Sequence, residues 1–497
     1  MRRAIVLWGL LLIPTTAQAR KLSLSEAVSL ALERSPQVQQ AREKLGETEA
    51  ARKAVRGNLG PKITVDANIF RWDDEVTFAI PPPSAETLQK HGPVLAKYGD
   101  LMTALPDLFS FGPSREKVTA QVSASIAQPL TPLYTIAKGH RIASLGRDAA
   151  KEGLAAAGDG AIYQATKAYI DLKQVRSAVD IARTAVEQLQ AHRDRAQAFL
   201  RAGMIGQNEV LKAEVALAQT KEQLIKAESG EALAQSALAL ALGLSPRESF
   251  EPTEVFSDPP PRVKQGLEGF IQRALERRPE RKAVAKQVEI ARAGRAISKW
   301  AFVPQVAAVA AYQHLEGAGF FMPKDAFYVG GVLKWDVWDW GTKYFAVREA
   351  GHRVAQVQIG ARQLSDGIYL EVKKAFLDLR SAEQTLSVAR VSVTQAEESF
   401  RIEKARFEKS VSTSTDVLDA QLALTRAKLS YTSALYQWYG ARAALSKATA
   451  EWSGGAGASA VTPQRDATIR AGGSAATRPP DASAARGKLA RSKEETR

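Results

Sequence analysis

The amino-acid sequence predicts a mainly α protein with a small β part: two tandem repeats of a short helix, two amphipathic strands and a long helical hairpin. Three observations carry this. Ala31-Leu32-Glu33-Arg34-Ser35-Pro36 recurs as Ala274-Leu275-Glu276-Arg277-Arg278-Pro279, and Lys167-Ala168-Tyr169-Ile170-Asp171-Leu172 as Lys374-Ala375-Phe376-Leu377-Asp378-Leu379. Residues 62–69 and 117–126 alternate strictly between apolar and polar side chains. No proline occurs between Leu133 and Ser245 or between Lys324 and Thr462, and both intervals are dense in strong helix formers.

Residues 1–19 read as a secretory leader. Arg2 and Arg3 give the positive start, Ala4 to Ile13 the apolar run, and Ala17-Gln18-Ala19 the small-x-small cleavage site. A run of about ten apolar residues spans half of a bilayer's hydrocarbon at ~1.5 Å each, too short for an anchor. No later stretch approaches the length of a membrane-spanning helix, so any entry into a bilayer has to be made by strands closed into a barrel.

Of the net charge of +15, the leader carries two and the tail from Ser453 to Arg497 four, the tail having eight Lys/Arg against four Asp/Glu. The remainder is interspersed along the helices, which together with export argues against nucleic acid as a partner. The chain has no Cys. His91, His140, His192, His314 and His352 show no metal-ligand spacing, and no HExxH or Gly-rich phosphate loop is present. No cofactor, metal or catalytic constellation is expected, and an enzyme is disfavoured.

The first repeat is assigned residues 20–245. Ser23-Leu24-Ser25-Glu26 is a capping-box pattern that starts a helix at Ser23 or Ser25. Strands follow at about 62–70 and 117–128, separated by a long loop at 72–116 that carries Pro81-Pro82-Pro83, Gly92-Pro93 and Gly112-Pro113. A helical hairpin covers about 137–243, turning at Ala202-Gly203-Met204-Ile205-Gly206. Its first arm, roughly 65 residues, would reach about 100 Å, unless Gly153, Gly158 and Gly160 interrupt it. A Pro-rich linker, 246–266, leads to the second repeat at 267–452, with strands at about 305–314 and 326–336 and a hairpin at about 343–450 turning at Ser410-Val411-Ser412-Thr413-Ser414. Residues 453–497, rich in Gly, Ala, Ser, Pro and Arg, read as a disordered basic tail.

Period-two alternation puts Ile63, Val65, Ala67 and Ile69 on one face and Lys62, Thr64, Asp66 and Asn68 on the other. Such strands fit a greasy outside and a wet lumen, and aromatics crowd their ends (Phe70, Trp72, Tyr312, Phe327, Tyr328, Trp335, Trp338, Trp340). Four strands cannot close a barrel, and an open sheet leaves bare N–H and C=O groups in lipid at several kcal/mol each. Several copies must therefore join, with 8, 12 or 16 strands for two, three or four chains. The hairpin arms carry narrow apolar stripes, such as Val417, Leu418, Leu422 and Leu424, that suit coiled-coil seams.

The doubled Ala-Leu-x-x-x-Pro openings, the strand pairs and the paired Pro-free hairpins resemble the TolC-type outer-membrane efflux proteins, over about Leu22 to Ala450. The resemblance implies a homotrimer in outer-membrane lipid, with a 12-strand transmembrane β-barrel continued by a periplasmic α-helical coiled-coil tunnel. It also implies a passive duct in a tripartite efflux or type I secretion system, with a periplasmic adaptor (membrane fusion) protein and an inner-membrane transporter as partners. Thr415-Asp416-Val417-Leu418-Asp419-Ala420 reads like the family's second hairpin turn, which places Asp416 and Asp419 at the periplasmic entrance. The same acids also fit as helix-start residues favoured by the helix dipole. An arginine frequent before these acids is replaced here by Ser412. Family adaptors grip small-residue tips, which maps to Gly203, Met204, Ser410 and Val411; turn chemistry alone also accounts for Gly203. The competing readings are a periplasmic adaptor of the same pumps and a soluble coiled-coil scaffold. The cargo is not legible in the sequence.

Overall fold

The computed structural model describes residues 20–78, 84, 86, 89–92, 111–258, 260–261, 263, 265–319, 322–409 and 411–453. The proposed leader, most of the 72–116 loop, Ser410 and the tail beyond Ser453 lie outside the described residues.

After a three-residue strand β1 (Arg20–Leu22), helix α1 (Leu24–Arg34) starts on a capping box: the Ser23 N–H donates to Glu26 Oε2 at 3.0 Å, and the Glu26 N–H donates to Ser23 Oγ at 3.3 Å. Helix α2 (Pro36–Gly57) begins at once on Pro36. Proline disfavours helical torsion in the residue before it, and Ser35 sits at ψ 129°. The same break recurs at Arg278, with ψ 124°, between α5 (Leu267–Arg277) and α6 (Pro279–Trp300).

The four long strands form one antiparallel sheet in the order β2-β5-β7-β8: β2 (Lys62–Arg71), β5 (Val118–Pro129), β7 (Gln305–Glu316) and β8 (Asp325–Lys334). Ile63 faces Ile126 and Val65 faces Ala124, so the apolar sets of β2 and β5 share one face. Ala124 then opposes Tyr312, and Tyr312 opposes Phe327. Among the described residues nothing covers that face: Ile63, Val65, Ile69, Phe327 and Val329 are about 70 % exposed. The 72–116 segment is not loop throughout. It is entered through a ribbon, β3 (Val76–Phe78) against β4 (Phe111–Arg115).

Helix α3 (Leu133–Arg201) runs unbroken for 69 residues, about 100 Å. Gly153, Gly158 and Gly160, where the arm could have broken, lie inside the helix. At Gly158 a Cβ would lie 3.5 Å from Leu32, so this glycine marks close packing against α1. Helix α4 (Gln207–Ala241) returns antiparallel to α3; α7 (Thr342–Glu408) and α8 (Ser414–Ala448) repeat the hairpin. Gly243, at φ +71°, ends α4 where a Cβ would fall 2.3 Å from the Arg34 carbonyl oxygen.

The 246–266 segment is more than a linker. Its strand β6 (Phe250–Pro252) pairs in parallel with β1, and Phe250 and Leu22 are fully buried. Tyr169 locks this strap: its hydroxyl donates to the Leu22 carbonyl and accepts from the Glu254 N–H, both at 3.0 Å. Further on, Asp258 accepts from Arg390 and from Tyr431, tying the strap to the second hairpin. The main core lies here, midway along the long helices, where α1, α5 and the strap surround Ile170, Leu238, Ile368, Trp438 and Leu445.

The chain is an open four-element panel at each height. The sheet ends at β2 and β8. Next to it the helices pack as α2-α3-α6-α7, and toward the turns as α4-α3-α8-α7. Helices α4 and α7 share no packed interface, yet each turns an exposed apolar stripe outward: Leu211, Val215, Ile225, Leu233 and Leu240 on α4, and Ile359, Leu370, Leu377 and Val388 on α7.

Candidate functional site

The two hairpin turns share a closing hydrogen bond. At the first, the Gly203 N–H donates to the Leu200 carbonyl and the Met204 N–H to the Phe199 carbonyl, both at 2.9 Å, with Gly203 at φ +71°. This is a Schellman closure, which satisfies carbonyls that the helix end would leave orphaned. At the second, the Val411 N–H donates to the Arg406 carbonyl at 2.9 Å, the equivalent bond. Ser410 lies outside the described residues. Met204 and Val411 project from equivalent places and are exposed, 54 % and 65 %.

Asp416 occupies the third position of α8. The Thr413 N–H and Oγ1 both donate to its Oδ2 at 2.8 Å, and its own N–H donates to Thr413 Oγ1 at 3.2 Å. Hydrogen bonds from the Thr413 backbone, then from its side chain, hold the carboxyl below the ordinary aspartate value. This carboxylate is committed to starting its helix. Asp419, one turn further, is exposed and has no hydrogen bond or ion pair among the described residues. At the equivalent place in the first hairpin stands Lys212, which bonds Glu209 at 2.9 Å and crosses to Thr415 Oγ1 at 3.1 Å.

Sequence reasoning missed the contacts that join the two hairpins above the turns. His192 of α3 meets Ser414 Oγ through Nε2 at 2.8 Å and lies against Phe407 with ring centroids 5.0 Å apart. Arg195 pairs with Glu408. The second repeat has Ser399 where His192 would recur, so the repeat offered no signal. Burial, then the nearby Arg195 charge, depresses the His192 pKa below the usual 6.5. A histidine depressed in the folded state stabilises fully above pH 6.5, and that contribution is lost as pH falls through its lower folded value. Acidification below 6.5 is therefore expected to lower the hydrogen-exchange protection factors at the start of α8, measured relative to the intrinsic rate at each pH, and His192→Gln to flatten that pH dependence. An unchanged pH profile in the variant would remove His192 from this role.

Among the described residues no helix is long and apolar enough to cross a membrane, and no group of three or more His, Asp or Glu could hold a metal ion.

The outer membrane efflux protein family model matches residues 27–244 and 270–451, one span in each repeat. No curated protein sequence matches the chain significantly. Solved structures with the same fold include the CmeC outer membrane channel of Campylobacter jejuni, 14% identical with a TM-score of 0.69, covering 86% of this chain and 85% of that one. The outer membrane protein VceC of Vibrio cholerae is 15% identical with a TM-score of 0.68, covering 86% and 95%. The open state of the MtrE outer membrane channel of Neisseria gonorrhoeae is 17% identical with a TM-score of 0.67, covering 86% and 88%. The family match over both repeats disfavours the adaptor and scaffold readings. Members of this family are transport proteins that act with adaptor and transporter partners. The chain belongs to the outer membrane efflux protein family and is a TolC-type outer-membrane channel of a tripartite efflux system.

Proposed function

We propose that three copies close into one duct: a 12-strand barrel in outer-membrane lipid, continued by a helical tunnel through the periplasm. The observation that carries this is the open panel repeated at three heights. Free edges at β2 and β8 leave backbone groups that lipid cannot satisfy. Below the sheet, the outward stripes of α4 and α7 are covered only if α4 of one copy packs on α7 of the next. The uncovered apolar face of the sheet then meets lipid, and the face bearing Thr64, Asp66, Gln121 and Ser123 lines the lumen. Trp335, Trp338 and Trp340, exposed where β8 passes into α7, mark the inner membrane–water boundary.

In this assembly the hairpin turns form the periplasmic mouth. Asp419 is the carboxylate left free to face it, and Asp416 adds charge from within its cap; rings of such acids favour cations. Gly203, Met204, Ser410 and Val411 form the surface offered to the adaptor, with two exposed apolar side chains at equivalent places. The duct itself is passive, driven by its inner-membrane partner.

The absence of Cys makes the test clean. Cysteines replacing Ile225 and Val388, or Leu240 and Leu377, stand at similar distances from their turns on the two stripes. With a short thiol cross-linker they are expected to give a ladder that ends at three chains. Monomers alone would defeat ring closure, and a ladder ending at two or four would defeat the trimer.

A further inference from the structure

Two cavities of about 540 and 470 Å³ open between α6 and α7 and meet at Arg292. Together they make one groove, about 27 Å from Arg281 to Lys299 at ~1.5 Å per residue. Arg281, Lys282, Arg292, Arg295 and Lys299 of α6 and Arg362 of α7 line it. All six are exposed, and none has a carboxylate partner among the described residues. The acid in the wall, Glu289, is already held by Arg141 and Lys286, both at 3.2 Å. Val284, Val288, Ala296 and Ala361 form a shallow floor of small side chains.

The helix pair does not itself call for these charges. Arg292, Arg295 and Lys299 stand three and four residues apart on one helix, where like charges destabilise it. The first repeat packs α2 on α3 in the corresponding way, and its matching positions are Val38, Gln39, Glu49, Arg52, Arg56 and Ala155. Two cations and an acid serve there where six cations gather here.

The groove opens on the side of the panel that carries α5. Arg281 donates to the Leu275 carbonyl of α5. The Phe270 ring of α5 lies 6.1 Å from that of Phe376, about three turns along the same face of α7 from Ser365 in the groove. A second layer inside a tunnel would block it, so in the duct proposed above, on which this orientation rests, the groove faces the periplasm. Membrane lipid reaches only its upper end: Arg281 is about 27 Å below Lys299, whereas a headgroup layer is about 5–8 Å thick. The floor also has no recess for the large anchoring side chain on which protein partners depend.

We propose that this groove binds the acidic peptide stems of the cell wall. Their carboxylates pair with the unpartnered cations, and their alanine-sized side chains rest on the floor. Such contact holds the duct in place where it passes through the wall.

Co-sedimentation of the full-length protein in detergent with purified cell-wall sacculi tests this, because sacculi are too large to enter the lumen. Saturable binding is expected at ~0.1 M salt. Arg292→Gln, Arg295→Gln and Arg362→Gln combined are expected to weaken it about tenfold, and amidation of the stem carboxylates to abolish it. Lys44→Gln, Lys53→Gln and Arg183→Gln combined, at exposed cations elsewhere, are expected to leave it unchanged. Equal losses in the two triple variants, or binding indifferent to amidation, overturn the proposal in favour of net charge. Binding of soluble stem peptides but not of sacculi overturns the outward orientation. Preference for phosphatidylglycerol vesicles or for polyglutamate over sacculi overturns the cell wall as the partner. The cross-linking ladder, run on the groove variant and the parent, keeps ring closure separate: a ladder ending at three chains without sacculus binding by the parent ends this proposal alone.

Discussion

Ala124→Arg is expected to cost about 2–4 kcal/mol per chain in a bilayer and to abolish stable assembly, whereas Ser123→Arg, its neighbour, stays within about 0.5 kcal/mol. Ala124 sits near the middle of β5, opposite Val65 and Tyr312 on the uncovered apolar face. In the proposed barrel a guanidinium there would be forced into hydrocarbon at the depth where charge is least tolerated. Ser123 points to the other face, opposite Asp66 and Gln313, where a charge would meet the water of the proposed lumen. The comparison is read from the fraction of heat-dissociable oligomer recovered from membranes. The reverse ranking would turn the barrel inside out and end the face assignment.

The second large effect concerns the mid-helix core. Tyr169→Ala is expected to destabilise by about 3–5 kcal/mol, through the cavity left by a fully buried ring. Tyr169→Phe keeps the ring and removes two hydrogen bonds, but their losses are unequal. The Leu22 carbonyl still accepts from the Thr253 N–H at 3.0 Å, while the Glu254 N–H is orphaned, so about 1–3 kcal/mol is expected. Urea unfolding in detergent measures both. Burial also pushes the Tyr169 hydroxyl up to about 12 from its usual 10.0. The neutral form is thus favoured in the folded chain, and its contribution holds below pH 10.0 and is lost as pH rises toward 12. Tyr169→Phe is expected to remove that alkaline sensitivity; a variant as sensitive as the parent would place the titration elsewhere.

The repeat made much of this legible. Tyr169 recurs as Phe376, and the second copy needs no hydroxyl there because among the described residues the β1–β6 strap occurs once. Alternation exposed the sheet, since a strand of ten residues presents five side chains to each face and leaves a clear period. The strap was illegible for the opposite reason. Strands of three residues have too little period to register, and Phe250 lies among prolines that otherwise signal a loop. Gly153, Gly158 and Gly160 left the continuity of α3 open because glycine is a weak helix former, yet at Gly158 a neighbouring helix uses the missing side chain. At the turns, the sequence left Asp416 with two roles. Its bonds to Thr413 depend on torsions that residue identity alone does not set.

The two borders of the panel are unlike: β2 is never β8, and α4 is never α7. In the proposed ring, copies would join head to tail, and such a contact has no built-in stopping point. Whether growth ends in a ring or runs on as a filament is decided by the angle each subunit turns through. In that ring, curvature across β2-β5-β7-β8 would govern stoichiometry, and a change that flattened it would alter the number of chains before it loosened any one of them.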